Sequence, residues 1–202
     1  AAFEVSGNFA ALKTCVAAVR RGAFIVQVGT LPHEPLPFVL NELMVKEFEP
    51  LASACLYIAL DLAADADLGK GKHSTLEYAV KIAASVAKYA SANSIPTRLI
   101  GQGARPIYLP AGTGDHHFRG LLDEFAVVDS DGATPYARVL ENVALDCQPG
   151  ETVLVFLSQP EGQFAQTLQT LALLRARGAH VLAIDFERES FLPGVKPAAA
   201  GP

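Results

Sequence analysis

Apolar positions along this chain follow two periods. Residues 54–62 (Ala-Cys-Leu-Tyr-Ile-Ala-Leu-Asp-Leu), 152–157 (Thr-Val-Leu-Val-Phe-Leu) and 180–186 (His-Val-Leu-Ala-Ile-Asp-Phe) are short apolar runs with little alternation. Such runs predict three central strands buried on both faces, as parallel sheets use. Between them the spacing changes to threes and fours. Leu76, Ala79, Val80, Ala83, Val86, Ala87 and Ala90 make one stripe of a long helix, mostly alanine, which lets a helix lie close on a sheet. Ser74-Thr75-Leu76-Glu77 opens it as a capping box, and Asn93-Ser94-Ile95-Pro96 stops it.

Further helices are predicted at 116–128 (Leu121, Leu122, Phe125, Ala126), at 135–145 with Pro135 as a first helical residue, and at 164–177. In the last, Leu168, Leu171 and Leu174 are expected to face inward, with Gly178 as the stop. Residues 97–101 and 106–109 read as short strands joined by the glycine-bearing turn Gln102-Gly103-Ala104-Arg105, and 43–48 as an edge strand. Strands alternating with helices of this length predict an α/β fold, an open, mainly parallel sheet covered by helices.

Upstream, residues 9–21 place Leu12, Val16 and Val19 at helical spacing before Gly22, and 24–28 (Phe-Ile-Val-Gln-Val) read as a strand. Residues 31–37 hold three prolines, which excludes a continuous helix and marks a linker. The domain reading is therefore an N-terminal helix-strand appendage with its linker at 1–42, a domain at 43–192 and a Pro/Ala/Gly tail at 193–202.

Composition narrows the class. The 202 residues are 50% hydrophobic and 18% charged, too apolar for a disordered chain, and no apolar run reaches the roughly 18 residues of a membrane helix. A net charge of −5 gives no basic footprint for nucleic acid. Cys15, Cys55 and Cys147 form no CxxC pair, so neither a disulfide framework nor a zinc knuckle is expected, and a reducing, cytoplasmic setting fits. The chain starts at Ala1 without an initiator methionine, which reads as a partial or fused reading frame.

Ligands of open parallel sheets collect at the carboxyl ends of the strands, which places Asp61, Ser158 and Asp185 first. Asp61, Asp65 and Asp67 could form an oxygen-rich corner for a hard divalent cation such as Mg²⁺; a solvated acidic loop beside a capped helix is the plainer alternative. Gly69-Lys70-Gly71-Lys72-His73-Ser74 lacks the P-loop spacing, leaving Lys70 and Lys72 as a basic hook for phosphate at most. Gly101-Gln102-Gly103 leads into a strand and is no dinucleotide fingerprint. His116-His117 fit an exposed helix start capped by Asp115 better than a metal site. Ser158 has no Gly-x-Ser-x-Gly elbow, and the cysteines read as inert core thiols.

Two resemblances add to this. Val45-Lys46-Glu47-Phe48-Glu49-Pro50, Ile58-Ala59-Leu60-Asp61-Leu62 and the run from Ser74 to Ser85 resemble domain-of-unknown-function family 58, von Willebrand factor A-like, over residues 43–191. That resemblance implies a Rossmann-like α/β domain in a binding or assembly role rather than catalysis. It also implies a MoxR-type AAA ATPase as partner and, in full-length members, a place at the cytoplasmic face of the inner membrane. A-type domains hold a metal through Asp-x-Ser-x-Ser and a later aspartate. The matching positions here are Asp61, Asp65 and Ser158, with alanine and aspartate for the two serines and Ser158 for the aspartate, which implies a degraded site with no cofactor, or at most Mg²⁺ or another divalent cation. Residues 1–42 instead resemble a fragment of a medium-chain zinc-dependent alcohol or polyol dehydrogenase, of the idonate or sorbitol type. Its carriers are Phe3-Glu4-Val5-Ser6-Gly7-Asn8 and the run from Val19 to Gly29. The alternative function is thus a remnant of an NAD-dependent dehydrogenase with cofactor contacts near Gly7 and Gly29.

Overall fold

The computed structural model describes residues 2–4, 25–27, 55–186 and 188–191. The helix expected at 9–21, the proline linker, the edge strand at 43–48 and the tail lie outside them. The chain separates into two compact units, residues 51–193 and residues 1–50 with 194–202. In the smaller unit, β1 (Ala2–Glu4) pairs parallel with β2 (Ile25–Gln27), Ala2 opposite Ile25.

The larger unit is built on a five-stranded sheet. Its strands are β3 (Leu56–Leu60), β6 (Thr97–Gln102), β7 (Pro106–Gly112), β8 (Thr152–Leu157) and β9 (His180–Asp185), in the spatial order β7-β6-β3-β8-β9. All neighbours are parallel except β6 and β7, the two strands expected on either side of the 102–105 turn, which pair antiparallel as a hairpin. Two short strands, β4 (Gly69–Lys70) and β5 (His73–Ser74), make a separate antiparallel hairpin inside the segment read as a loop.

Helix α1 (Thr75–Ala92) packs against β3 and β6 through Ala79, Ala83, Val86, Ala87 and Ala90. The Ser74 hydroxyl accepts from Glu77 N at 3.2 Å, as the capping box requires. Helix α2 (Gly114–Val127) lies on α1 and buries Leu121 and Phe125. Helices α3 (Tyr136–Asp146) and α4 (Glu161–Ala176) pack together on the opposite face. There Tyr136, Leu140, Val143, Leu171 and Leu174 meet Tyr57, Ala59, Val153, Val155 and Leu157. The alternate side chains of β3, Leu56, Ile58 and Leu60, are fully buried on the α1 face, each contributing about 1.5–3 kcal/mol.

Three expectations need correction. The strand at β9 is not central: it is the edge of the sheet among the described residues, and its side chains are half-buried. Leu168 does not face inward but is 44% exposed. The buried stripe of α4 is Thr167, Thr170, Leu171 and Leu174, in which two threonines stand at core positions. Their hydroxyls donate to Gln163 O and Gln166 O one turn back, so a polar residue can face the sheet without an unpaired group. Finally, Thr113 rather than Asp115 is the N-cap of α2, with Asp115 inside the first turn. Gly178 does end α4, at φ +89°, a conformation that side chains disfavour.

The two sheet edges differ. β7 carries Pro106 and Pro110 and a register shift against β6 between Thr97 and Leu99. β9 pairs with β8 through six consecutive residues without a shift and contains no proline.

Candidate functional site

Counted within the sheet, the strand order is 3-2-1-4-5, so the chain turns to opposite sides of β3 and β8. That switch point is where open α/β sheets leave a crevice at the strands' carboxyl ends. Asp61 follows β3 there, and Ser158 and Gln159 follow β8.

At this end of the sheet a phenol stands between β3 and β8. Thr152 N donates to Cys55 O at 3.1 Å, and the two-residue step of the ladder brings Phe156 N opposite Ala59 O. In place of that rung, the Tyr136 hydroxyl donates to Ala59 O at 2.6 Å and accepts from Phe156 N at 3.3 Å. Burial pushes this phenol well above its ordinary pKa, with the Asp61 charge adding to the effect, so it stays protonated.

Just beyond, Asp61 is buried, 7% exposed. Its Oδ1 accepts from Ala63 N at 3.1 Å and its Oδ2 from Gln159 Nε2 at 2.5 Å. Burial pushes its carboxyl up to about 6; the Gln159 and Ala63 hydrogen bonds pull the other way, Asp65 adds to the rise, and Arg188 opposes it. Gln159 is 3% exposed, and its Nε2 also donates to Phe156 O at 3.2 Å, while its Oε1 is buried without a hydrogen-bond partner. Asp65 stands in solvent, where its Oδ2 accepts from Gln163 Nε2 at 2.6 Å. Two glutamines four residues apart thus reach two aspartates four residues apart. Ser158 is buried, and its backbone oxygen accepts from Arg188 Nη1. Arg188 belongs to a 3-10 turn, Arg188–Phe191, held by Phe191 edge-on to Tyr78 and to Phe186, at ring separations of 5.8 and 6.0 Å. Phe186 in turn stacks on Phe156.

Of the expected site residues, Asp61 and Ser158 therefore lie buried at the ends of adjacent strands, and Asp65 lies in solvent one turn on. Asp67 is a helix cap: its Oδ1 accepts from Leu76 N at 3.0 Å. Asp185 is exposed at the end of the edge strand. Among the described residues, no three His, Cys, Asp or Glu side chains come together to hold a metal ion. Lys70, Lys72 and His73 are exposed on the β4–β5 hairpin. His117 Nε2 donates to Thr97 O at 2.7 Å, whereas His116 is exposed. Burial, with Glu151 second, pushes the Cys55 thiol up to about 11 and that of Cys147 up to about 12, which leaves neither a thiolate nucleophile. Gln159, Gln163, Arg188 and Tyr136 were not singled out by the sequence reading. The matched spacing of Asp61/Asp65 with Gln159/Gln163 is the signal that could have found the glutamines.

These strands and crossovers define an α/β domain of von Willebrand A-like, Rossmann-like type. The model of the family "Protein of unknown function DUF58" matches residues 40–198, and the chain belongs to that family. A curated relative, "Uncharacterized protein YeaD" of Bacillus subtilis (strain 168), is 30% identical over 98 residues, 48% of this chain and 23% of that protein. The chain thus matches less than a quarter of that relative's length. Among solved structures, the conserved hypothetical protein BatB from Bacteroides thetaiotaomicron shares 15% identity at a TM-score of 0.49, over 65% of each chain. An aerotolerance-related membrane protein from Bacteroides fragilis NCTC 9343, with multiple mutations to serines, shares 14% at a TM-score of 0.49, over 65% of this chain and 66% of that one. The match spans just under two thirds of both. No helix among the described residues is long and apolar enough to cross a membrane.

Proposed function

We propose that this chain is a non-catalytic protein-interaction or assembly module that works with a MoxR-type AAA ATPase, its metal site reduced to a remnant at Asp61, Asp65 and Ser158. The observation that carries the reading is the polar group at the switch point, where a buried Asp61 is hydrogen-bonded to Gln159, Asp65 accepts from Gln163 in solvent, and Arg188 donates to Ser158 O. The two described thiols are held neutral and His117 is committed to a backbone carbonyl, so neither thiol nor this imidazole is prepared as a nucleophile or base. The resemblance stated above supports the assembly role, the ATPase as partner and the cytoplasmic face of the inner membrane as the place of action.

The test is titration of a purified MoxR-type ATPase, with ATP, into the labelled chain, followed by fluorescence anisotropy. A saturable complex that Asp61→Ala weakens at least about tenfold, or about 1.4 kcal/mol, is expected. An anisotropy that stays flat up to the solubility limit refutes the partnership.

The parallel pairing of β1 with β2 favours a second reading for the smaller unit, the strand-crossover-strand of a nucleotide-binding half. Enhanced NADH fluorescence on mixing with the chain is its expected sign, and unchanged fluorescence removes it.

A further inference from the structure

We infer that the amide of Gln159 takes the place of a cation at Asp61, so that this end of the sheet works without a divalent metal. The inference rests on the reading of Asp61, Asp65 and Ser158 as the remnant of a metal site and names the group that neutralises the carboxylate.

A hard divalent cation needs about six oxygen ligands. At Asp61 both carboxylate oxygens face N–H donors instead, Ala63 N on Oδ1 and Gln159 Nε2 on Oδ2. The amide is locked in that sense, because its Nε2 also donates to Phe156 O. Turning it over would set Oε1 against a carboxylate oxygen and a carbonyl oxygen, acceptor against acceptor. The positive end of the amide dipole therefore lies where a bound cation would neutralise the carboxylate. Arg188 adds a full positive charge beside it while donating to Ser158 O, and neither an N–H group nor a guanidinium can serve as a metal ligand. Asp65, the second carboxylate at this end of the sheet, is drawn away to Gln163 in solvent.

The same locking leaves Gln159 Oε1 buried and without a hydrogen-bond partner, a cost that goes with holding both amide hydrogens on Asp61 Oδ2 and Phe156 O.

Calorimetric and thermal-shift titrations of the whole chain with Mg²⁺, Mn²⁺ and Ca²⁺ test this, set beside the isosteric variant Gln159→Glu. Wild type is expected to give no saturable heat and no shift in melting temperature. Gln159→Glu places a second carboxylate against Asp61, and a cation is expected to bind it and raise its melting temperature by about 4 °C or more. Saturable binding by wild type overturns the inference, as does a folded variant that ignores all three cations. Should the variant fail to fold in every buffer, the wild-type titration alone decides. No ATPase is present in these titrations, so their outcome stands apart from success or failure of the partner experiment.

Discussion

Replacing Tyr136 by Phe removes one oxygen atom from a residue that is 1% exposed and leaves its ring in the α3–β3–β8 core. That oxygen serves two backbone groups, Ala59 O and Phe156 N, on strands whose direct pairing it interrupts. A buried polar group left without a partner costs about 1–3 kcal/mol, so losing both is expected to lower stability by about 2–4 kcal/mol after partial relaxation. Urea denaturation monitored by circular dichroism is the assay, with the midpoint falling and the slope unchanged. A loss below about 0.5 kcal/mol would refute the reasoning. It would mean that β3 and β8 close and form the missing rung themselves, and that the hydroxyl does not hold the two strand ends apart.

Asp61 ties stability to pH. Its carboxyl titrates near 3.8 in the unfolded chain and near 6 when folded, so between those values the native state holds the extra proton. The favourable contribution is complete below about pH 4 and is lost as pH rises through 6, a change on the order of 3 kcal/mol. The stability difference between wild type and Asp61→Asn, followed by denaturation from pH 4 to pH 8, should change across that window and be flat above it; a flat difference throughout contradicts the assignment. Gly132→Ala would place a Cβ 2.2 Å from Gln102 O and 2.8 Å from Leu62 O, so a loss of about 2–4 kcal/mol is expected, seen as a fall in melting temperature. Leu174→Ala should cost about 2–5 kcal/mol in urea unfolding. Leu168→Ala should stay within about 0.5 kcal/mol, and equal losses at the two positions would return Leu168 to the core.

The fold was legible where burial leaves a periodic trace. The runs at 56–60 and 152–157 became central strands because both of their faces are covered, and the capping box at Ser74 gave the start of α1 to the residue. The same rule failed at 180–186, since an apolar run records the faces of a strand and not its edges, and β9 lacks a second neighbour among the described residues. In α4 the leucine spacing misplaces the buried stripe, which is set by Thr167 and Thr170 together with Leu171 and Leu174. The site was half legible. A polar residue after each apolar run pointed to Asp61 and Ser158, but Gln159 and Tyr136 act through contacts 98 and 77 residues away in sequence, which no local pattern records.

The unequal edges of the sheet have a consequence for growth. Prolines are tolerated in sheets where the absent N–H would point outward, so Pro106 and Pro110 deny an incoming strand two donors on the β7 side, and the register shift bends that side further from a flat ladder. β9 imposes neither obstacle along its six paired residues. Among the described residues the two margins are therefore unequal: the backbone groups of Val181, Ala183 and Asp185 face away from β8 and offer a regular ladder, whereas the opposite margin is interrupted by proline.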